Sequence, residues 1–144
     1  MQRKRLLWQI FPSYLLITLL ALLAITWYAT TSLRKFFYYQ TEEELVSRAK
    51  LIRELVMDYN PLAEPEKIDR ICKEMGRLSS TRITFILRDG TVIGESEIDP
   101  DGMMNHSDRP EFHAALDGDA GVSTRISSTL RVKMMYSAIP FYMN

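Results

Sequence analysis

Leu6-Leu-Trp-Gln-Ile-Phe-Pro-Ser-Tyr-Leu-Leu-Ile-Thr-Leu-Leu-Ala-Leu-Leu-Ala-Ile-Thr-Trp-Tyr-Ala-Thr-Thr-Ser-Leu33 runs for 28 positions without a charged residue, directly behind Arg3, Lys4 and Arg5. As a helix it reaches ~42 Å, more than the ~30 Å of a bilayer's hydrocarbon core. Trp8 and Trp27 stand ~29 Å apart along such a helix, which predicts one at each membrane interface, with Tyr28 beside the second. Pro12 falls near the N-terminal end of the run, where a lost backbone hydrogen bond is most easily made up. A cleaved secretory signal also begins with positive charge. Its apolar region is only ~7–15 residues and closes on small residues, whereas Trp27 and Tyr28 stand here. The reading is therefore an uncleaved anchor.

Three basic residues precede the run and two, Arg34 and Lys35, follow it. With the short N-terminal tail, that asymmetry predicts the N-terminus inside and the remainder outside the cytoplasmic membrane. The expected division is a basic tail over 1–5, a transmembrane helix over 6–33 and an extracytoplasmic domain over 34–144. Beyond the first five residues, 15 basic residues face 18 acidic ones, a net of −3 that argues against nucleic acid as a partner. About 110 residues suffice for one small domain with one core. The single Cys72 excludes an internal disulfide framework.

After the span, Leu33 to Tyr59 holds no glycine or proline. Leu45, Ala49, Ile52, Val56 and Tyr59 recur at helical spacing, with Leu51 and Leu55 widening the stripe. That seam suits either a sheet or a second copy of the chain. Thr41 and Glu44 match a capping box, so the helix is expected either to restart there or to run on unbroken. Asn60-Pro61 ends it, and Pro65 opens a second helix with Ile68, Ile71, Cys72, Met75 and Leu78 on one face. From Thr81 the period changes to two, and Asp89-Gly90 turns one strand into Thr91–Ser96. Pro110 starts a short helix through Leu116, before Gly118. Val122–Thr129 and Lys133–Phe141 read as two further strands, joined around Leu130–Val132. The expected fold class is α+β, with four antiparallel strands in one open sheet and helices on one side.

The order of these features, with Arg82-Ile-Thr-Phe-Ile-Leu-Arg-Asp-Gly-Thr-Val-Ile-Gly-Glu-Ser96, Asn105-His-Ser-Asp-Arg-Pro-Glu-Phe112, Arg125-Ile-Ser-Ser-Thr129 and Met135-Tyr-Ser-Ala-Ile-Pro140, resembles the input half of membrane-bound sensor histidine kinases of the phosphate-regulon type. The resemblance implies an extracytoplasmic PAS-like, single-Cache-like sensor domain, incomplete at its C-terminus. It implies a signal-input fragment of a two-component phosphorelay, cut before a last strand, a second span and the kinase core. No phosphoacceptor histidine or nucleotide-binding box follows, so ATP is expected only in that missing portion and no cofactor in this chain. The resemblance further implies a homodimer whose kinase portion acts on a response regulator. The same sensor fold also serves chemotaxis receptors and cyclic-dinucleotide enzymes. A membrane-anchored enzyme finds no support, because no nucleophile elbow, HExxH or glycine-rich phosphate loop is present.

Three groups of side chains are candidate sites. Arg125 shares a strand face with Ser123, Ser127 and Thr129, and Tyr136 lies within reach on the next strand. With Arg109 these residues suit a carboxylate or other small anion, since guanidinium and hydroxyl donors match its acceptors. Glu97, Asp99, Asp101, Gly102, Asn105 and Asp108 fall at positions 1, 3, 5, 6, 9 and 12 of an EF-hand-like loop, which suits a divalent cation. Against that stand Glu at position 1, the short Asp108 at position 12 and a strand before the loop; a solvated acidic loop is the plainer reading. His106, Asp108, Glu111 and His113 contain transition-metal ligand types without a fixed helical spacing. The plainer reading there is a polar helix start, with Asp108 as the cap. Asn105-His106-Ser107 fits a glycosylation sequon, discounted on the bacterial resemblance.

Overall fold

The computed structural model describes residues 2–127 and 131–142, with side chains from Ile10 onward. In chain order the elements are α1 (Gln2–Val56), α2 (Pro65–Ser79), β1 (Thr84–Ile86), β2 (Val92–Glu95), the 3-10 turn η1 (Pro100–Gly102), α3 (Pro110–Leu116), β3 (Gly121–Ile126) and β4 (Lys133–Ala138). They form two compact units, 1–41 and 42–144. The class is α+β, with a long N-terminal apolar helix and small antiparallel sheets.

The first unit is helix alone. Every residue from Ile10 to Thr41 is exposed, including the Leu, Ile, Phe, Trp and Tyr side chains that make the stretch apolar. The Thr18, Thr26 and Thr31 hydroxyls donate to carbonyls three or four residues back, which leaves those hydrogens satisfied within the helix. By length and composition α1 can cross a membrane. Thr41 is interior to α1 and its hydroxyl donates to Phe37 O at 2.8 Å, so of the two expected courses the helix takes the unbroken one.

In the second unit the predicted seam of α1 turns inward. Val56 is buried, Tyr59 packs against the core, and Leu45, Ala49 and Ile52 are half-buried. Leu51 and Leu55 face out. Asn60 Oδ1 accepts from Leu62 N at 3.0 Å, an Asx-type turn at the residue before Pro61. Pro65 then takes a first-turn position of α2, where its missing N–H costs nothing. Ile68 and Cys72 of α2 join Val56 in the core, ringed by Ile71, Ile83, Phe85, Ile93 and Phe141. Gly76 is buried on that face while Leu78, predicted to lie there, is exposed, because α2 presses closely on Ser96 at Gly76. At the end of α2, Ser80 adopts a left-handed conformation with φ 49°. Arg48 of α1 donates to Ser79 O at 2.8 Å and also to Thr81 Oγ1, supplying a cation to carbonyl-rich backbone.

The four strands do not make one sheet. β1 pairs antiparallel with β2, and β3 with β4, as two separate two-stranded ladders. The first turns at Asp89-Gly90: Gly90 has φ 87° and its N–H reaches Leu87 O at 2.9 Å, as the sequence predicts. β1 is only three residues long and carries an irregularity between Phe85 and Ile86. Among the described residues no backbone ladder joins the two hairpins; Phe141, just past β4, meets Phe85 of β1 edge-on at 5.5 Å. β4 stops at Ala138, short of the predicted Phe141, since Pro140 offers no N–H and holds its predecessor off a regular ladder. β3 stops at Ile126; Ser127 N donates to Val132 O and Arg131 N to Ser127 O, both at 2.9 Å, so the turn begins earlier than predicted. Thr129 and Leu130 lie outside the described residues.

Candidate functional site

The register of β3 against β4 places Ser123 opposite Tyr136 and Arg125 opposite Met134. Alternate residues of a strand share a face, so Ser123, Arg125, Tyr136 and Met134 point the same way. On that face lies α3. The approach is close: a Cβ at Gly121 would stand 2.0 Å from Glu111 O. Glu111, in the first turn of α3, thereby drops its carboxylate onto the strand pair.

Arg125 Nη2 donates to Glu111 Oε1 at 3.0 Å, and its Nε lies 3.4 Å from the same oxygen. Ser123 Oγ donates to Glu111 Oε2. The guanidinium stacks 3.7 Å above the Tyr136 ring, a cation–π contact. Tyr136 in turn sits beside Met134, its hydroxyl 3.9 Å from Sδ. Burial pushes the Glu111 carboxyl up, but the Ser123 hydroxyl and the Arg125 guanidinium outweigh that and hold it below the ordinary 4.5. Arg125 is thus neutralised where it stands, and an incoming carboxylate must compete with Glu111 for it.

The other predicted ligand residues are dispersed. Ser127 is buried past the end of β3, within the turn. Arg109 is the N-cap residue of α3 and has Asp108 as its ion-pair partner, at 3.7 Å. Asp108 is not the cap: its side chain is 82% exposed and α3 has no side-chain cap bond.

The acidic loop likewise folds around itself. Asp99 Oδ1 accepts from Asp101 N at 3.1 Å and so caps η1. Glu97 lies 3.8 Å from Arg82. Asn105 Nδ2 donates to Asp89 O at 2.9 Å while its Oδ1 accepts from Ser107 N at 2.8 Å, which ties the loop to the β1–β2 turn. His106 N donates to Gly90 O at 2.8 Å, and His113 lies in the last turn of α3. Among the described residues no three His, Cys, Asp or Glu side chains converge to hold a metal ion. Glu97, Asp99, Asp101 and Asp108 are not brought together, nor are His106, Asp108, Glu111 and His113.

A second polar node was not foreseen. Glu95, at the end of β2, is fully buried. Its Oε1 accepts from Arg82 Nε at 2.7 Å, and its Oε2 accepts from Glu97 N at 2.8 Å and from Ile98 N. Its own N–H donates to Asp69 Oδ1 at 3.1 Å. The available signal was an arginine and a glutamate on opposite arms of an Asp-Gly hairpin: Glu95 pairs with Thr84, and Arg82, two residues before Thr84, lies diagonally across from it. Close by, burial first, then the charges of Asp69 and Glu95, pushes the Cys72 thiol up to about 12. That makes it a packing residue and not a nucleophile at neutral pH. No family model, curated protein or solved structure matches the chain.

Proposed function

We propose that this chain is the membrane-anchored signal-input region of a two-component sensor kinase of the phosphate-regulon type. In that reading α1 crosses the cytoplasmic membrane with Arg3, Lys4 and Arg5 inside, and unit 42–144 senses outside as a PAS-like domain. The observation that carries it is the pairing of a charge-free apolar stretch of α1, exposed from Ile10 to Leu33, with a small α+β unit that follows it in chain order. The family in this reading is the one that the ordered motifs from Arg82 to Pro140 resemble. Signalling requires that a stimulus bind two conformations of the unit with different affinity, since an equal preference shifts nothing. Kinase activity and ATP binding belong to domains downstream of the input region, which also pairs as a homodimer.

A chimera tests this reading. Residues 1–144 are joined to the last strand, second span and kinase core of a phosphate-regulon sensor kinase, and autophosphorylation is followed in membranes. The expected result is kinase output that changes when the sensor unit is perturbed by Arg82→Ala. Output identical to that of the kinase core alone, with and without that substitution, contradicts it.

A further inference from the structure

Behind the apolar run stands Arg34-Lys35-Phe36-Phe37-Tyr38-Tyr39, two cations followed by four consecutive aromatics, and after it the acidic Glu42-Glu43-Glu44. Successive helical residues are about 100° apart, so Phe36 to Tyr39 encircle α1 through about 300°. All four are exposed, by 61, 60, 42 and 66%. A protein partner docks on one side of a helix and leaves the other aromatics in water. A ring is covered on every side only by a surrounding medium. The interface of a bilayer is such a medium: aromatic rings concentrate there, and Arg and Lys reach lipid phosphates from there.

We infer that Arg34–Tyr39 is a membrane-interface collar seated in the phosphate headgroup layer, and that it, not Trp27–Tyr28, marks the outer boundary of the span. The inference rests on the reading of α1 as a membrane helix. Distances favour it. Pro12 to Leu33 covers ~33 Å, a match for a ~30 Å hydrocarbon core. Trp8 then lies ~6 Å beyond Pro12, at the inner interface, and Arg5 beyond it. Phe36 to Tyr39 lie ~4.5–9 Å above Leu33, within and just beyond a headgroup layer ~5–7 Å deep. With the boundary at Trp27 the same four rings stand ~14–18 Å beyond it, in water. The helix interior agrees in part, because the Thr31 hydroxyl donates to Trp27 O at 2.8 Å and so enters hydrocarbon already paired. Glu42–Glu44 begin ~13.5 Å above Leu33, clear of the headgroup layer.

The test is depth-dependent fluorescence quenching of the full chain in phosphatidylcholine vesicles, brominated either near the headgroup or near the chain end. One variant carries Trp8→Phe, Trp27→Phe and Phe37→Trp, so its only tryptophan reports the collar. A second carries Trp8→Phe and keeps Trp27. The collar predicts the larger loss with shallow bromine for the first variant and with deep bromine for the second. Water-like, unquenched emission from the first, with shallow quenching of Trp27, overturns the collar and leaves the span standing. Quenching of neither overturns the membrane reading itself.

Discussion

Arg82 and Glu95 form an ion pair in which the carboxylate has no exposed surface and the arginine is 16% exposed. A pair this deep adds modest net stability over an apolar replacement, yet removing one partner strands a buried charge at a cost of about 3–5 kcal/mol. Arg82→Ala is therefore expected to lower the urea midpoint strongly, since a small domain holds only about 5–15 kcal/mol in all. A loss below about 1 kcal/mol is the cost of an exposed pair and contradicts the burial. Glu111 adds a pH dependence. Its folded pKa lies below the unfolded value near 4.5, so the stability it contributes is present above that pH and lost as pH falls through the folded pKa. Glu111→Gln is expected to cost about 1–3 kcal/mol at neutral pH and to flatten the stability curve below about pH 4.5. Curves that stay parallel in acid contradict the Glu111–Ser123–Arg125 cluster. Arg125 was legible as a charged residue on a strand face; its partner was not. Glu111 is remote in sequence, and only the docking of α3 on β3 brings it over the guanidinium.

At the scale of elements, what was legible is what local chemistry dictates. Asp89-Gly90 specifies its turn because glycine alone adopts φ 87° without strain. Pro65 and Pro110 mark helix starts through the same rigidity that bars them from helix interiors. The sheet was not legible, because which edges pair depends on how two hairpins dock, and neither strand pattern carries that information. Each hairpin instead keeps its own ladder and its own covering helix, α2 over β1–β2 and α3 over β3–β4. That docking can be tested at Gly121. A methyl group there meets the backbone carbonyl of Glu111 at 2.0 Å and Ala114 Cβ at 2.9 Å, with no flexible side chain to yield. Gly121→Ala is expected to cost at least about 1–3 kcal/mol by overpacking, read by denaturant unfolding. Gly102→Ala, with open space around it, is the matched control and should stay within about 0.5 kcal/mol. Equal stability of the two variants contradicts the close approach of α3 to β3.

For the whole molecule, the strongest signal was also the simplest: 28 residues without charge behind three basic ones. By length and composition this stretch can cross a membrane, and helix is the state that leaves no backbone N–H or C=O unpaired there. Orientation rests on a narrow charge difference across the span and stands as part of the proposal. The metal reading of Glu97–Asp108 illustrates the limit of spacing alone. Suitable oxygen donors were present at suitable intervals, but Asp99 caps a 3-10 turn and Asn105 binds the neighbouring hairpin. The measurement that bears most directly on the account is the topology of the full chain in bacterial membranes. Alkaline phosphatase, active only outside the cytoplasm, is fused after Asn144, with a parallel fusion to a fluorescent protein that matures only inside. Anchored, phosphatase-active and non-fluorescent fusions are the predicted result. A soluble chain, or a fluorescent and phosphatase-inactive one, contradicts a membrane-tethered sensor that faces outward.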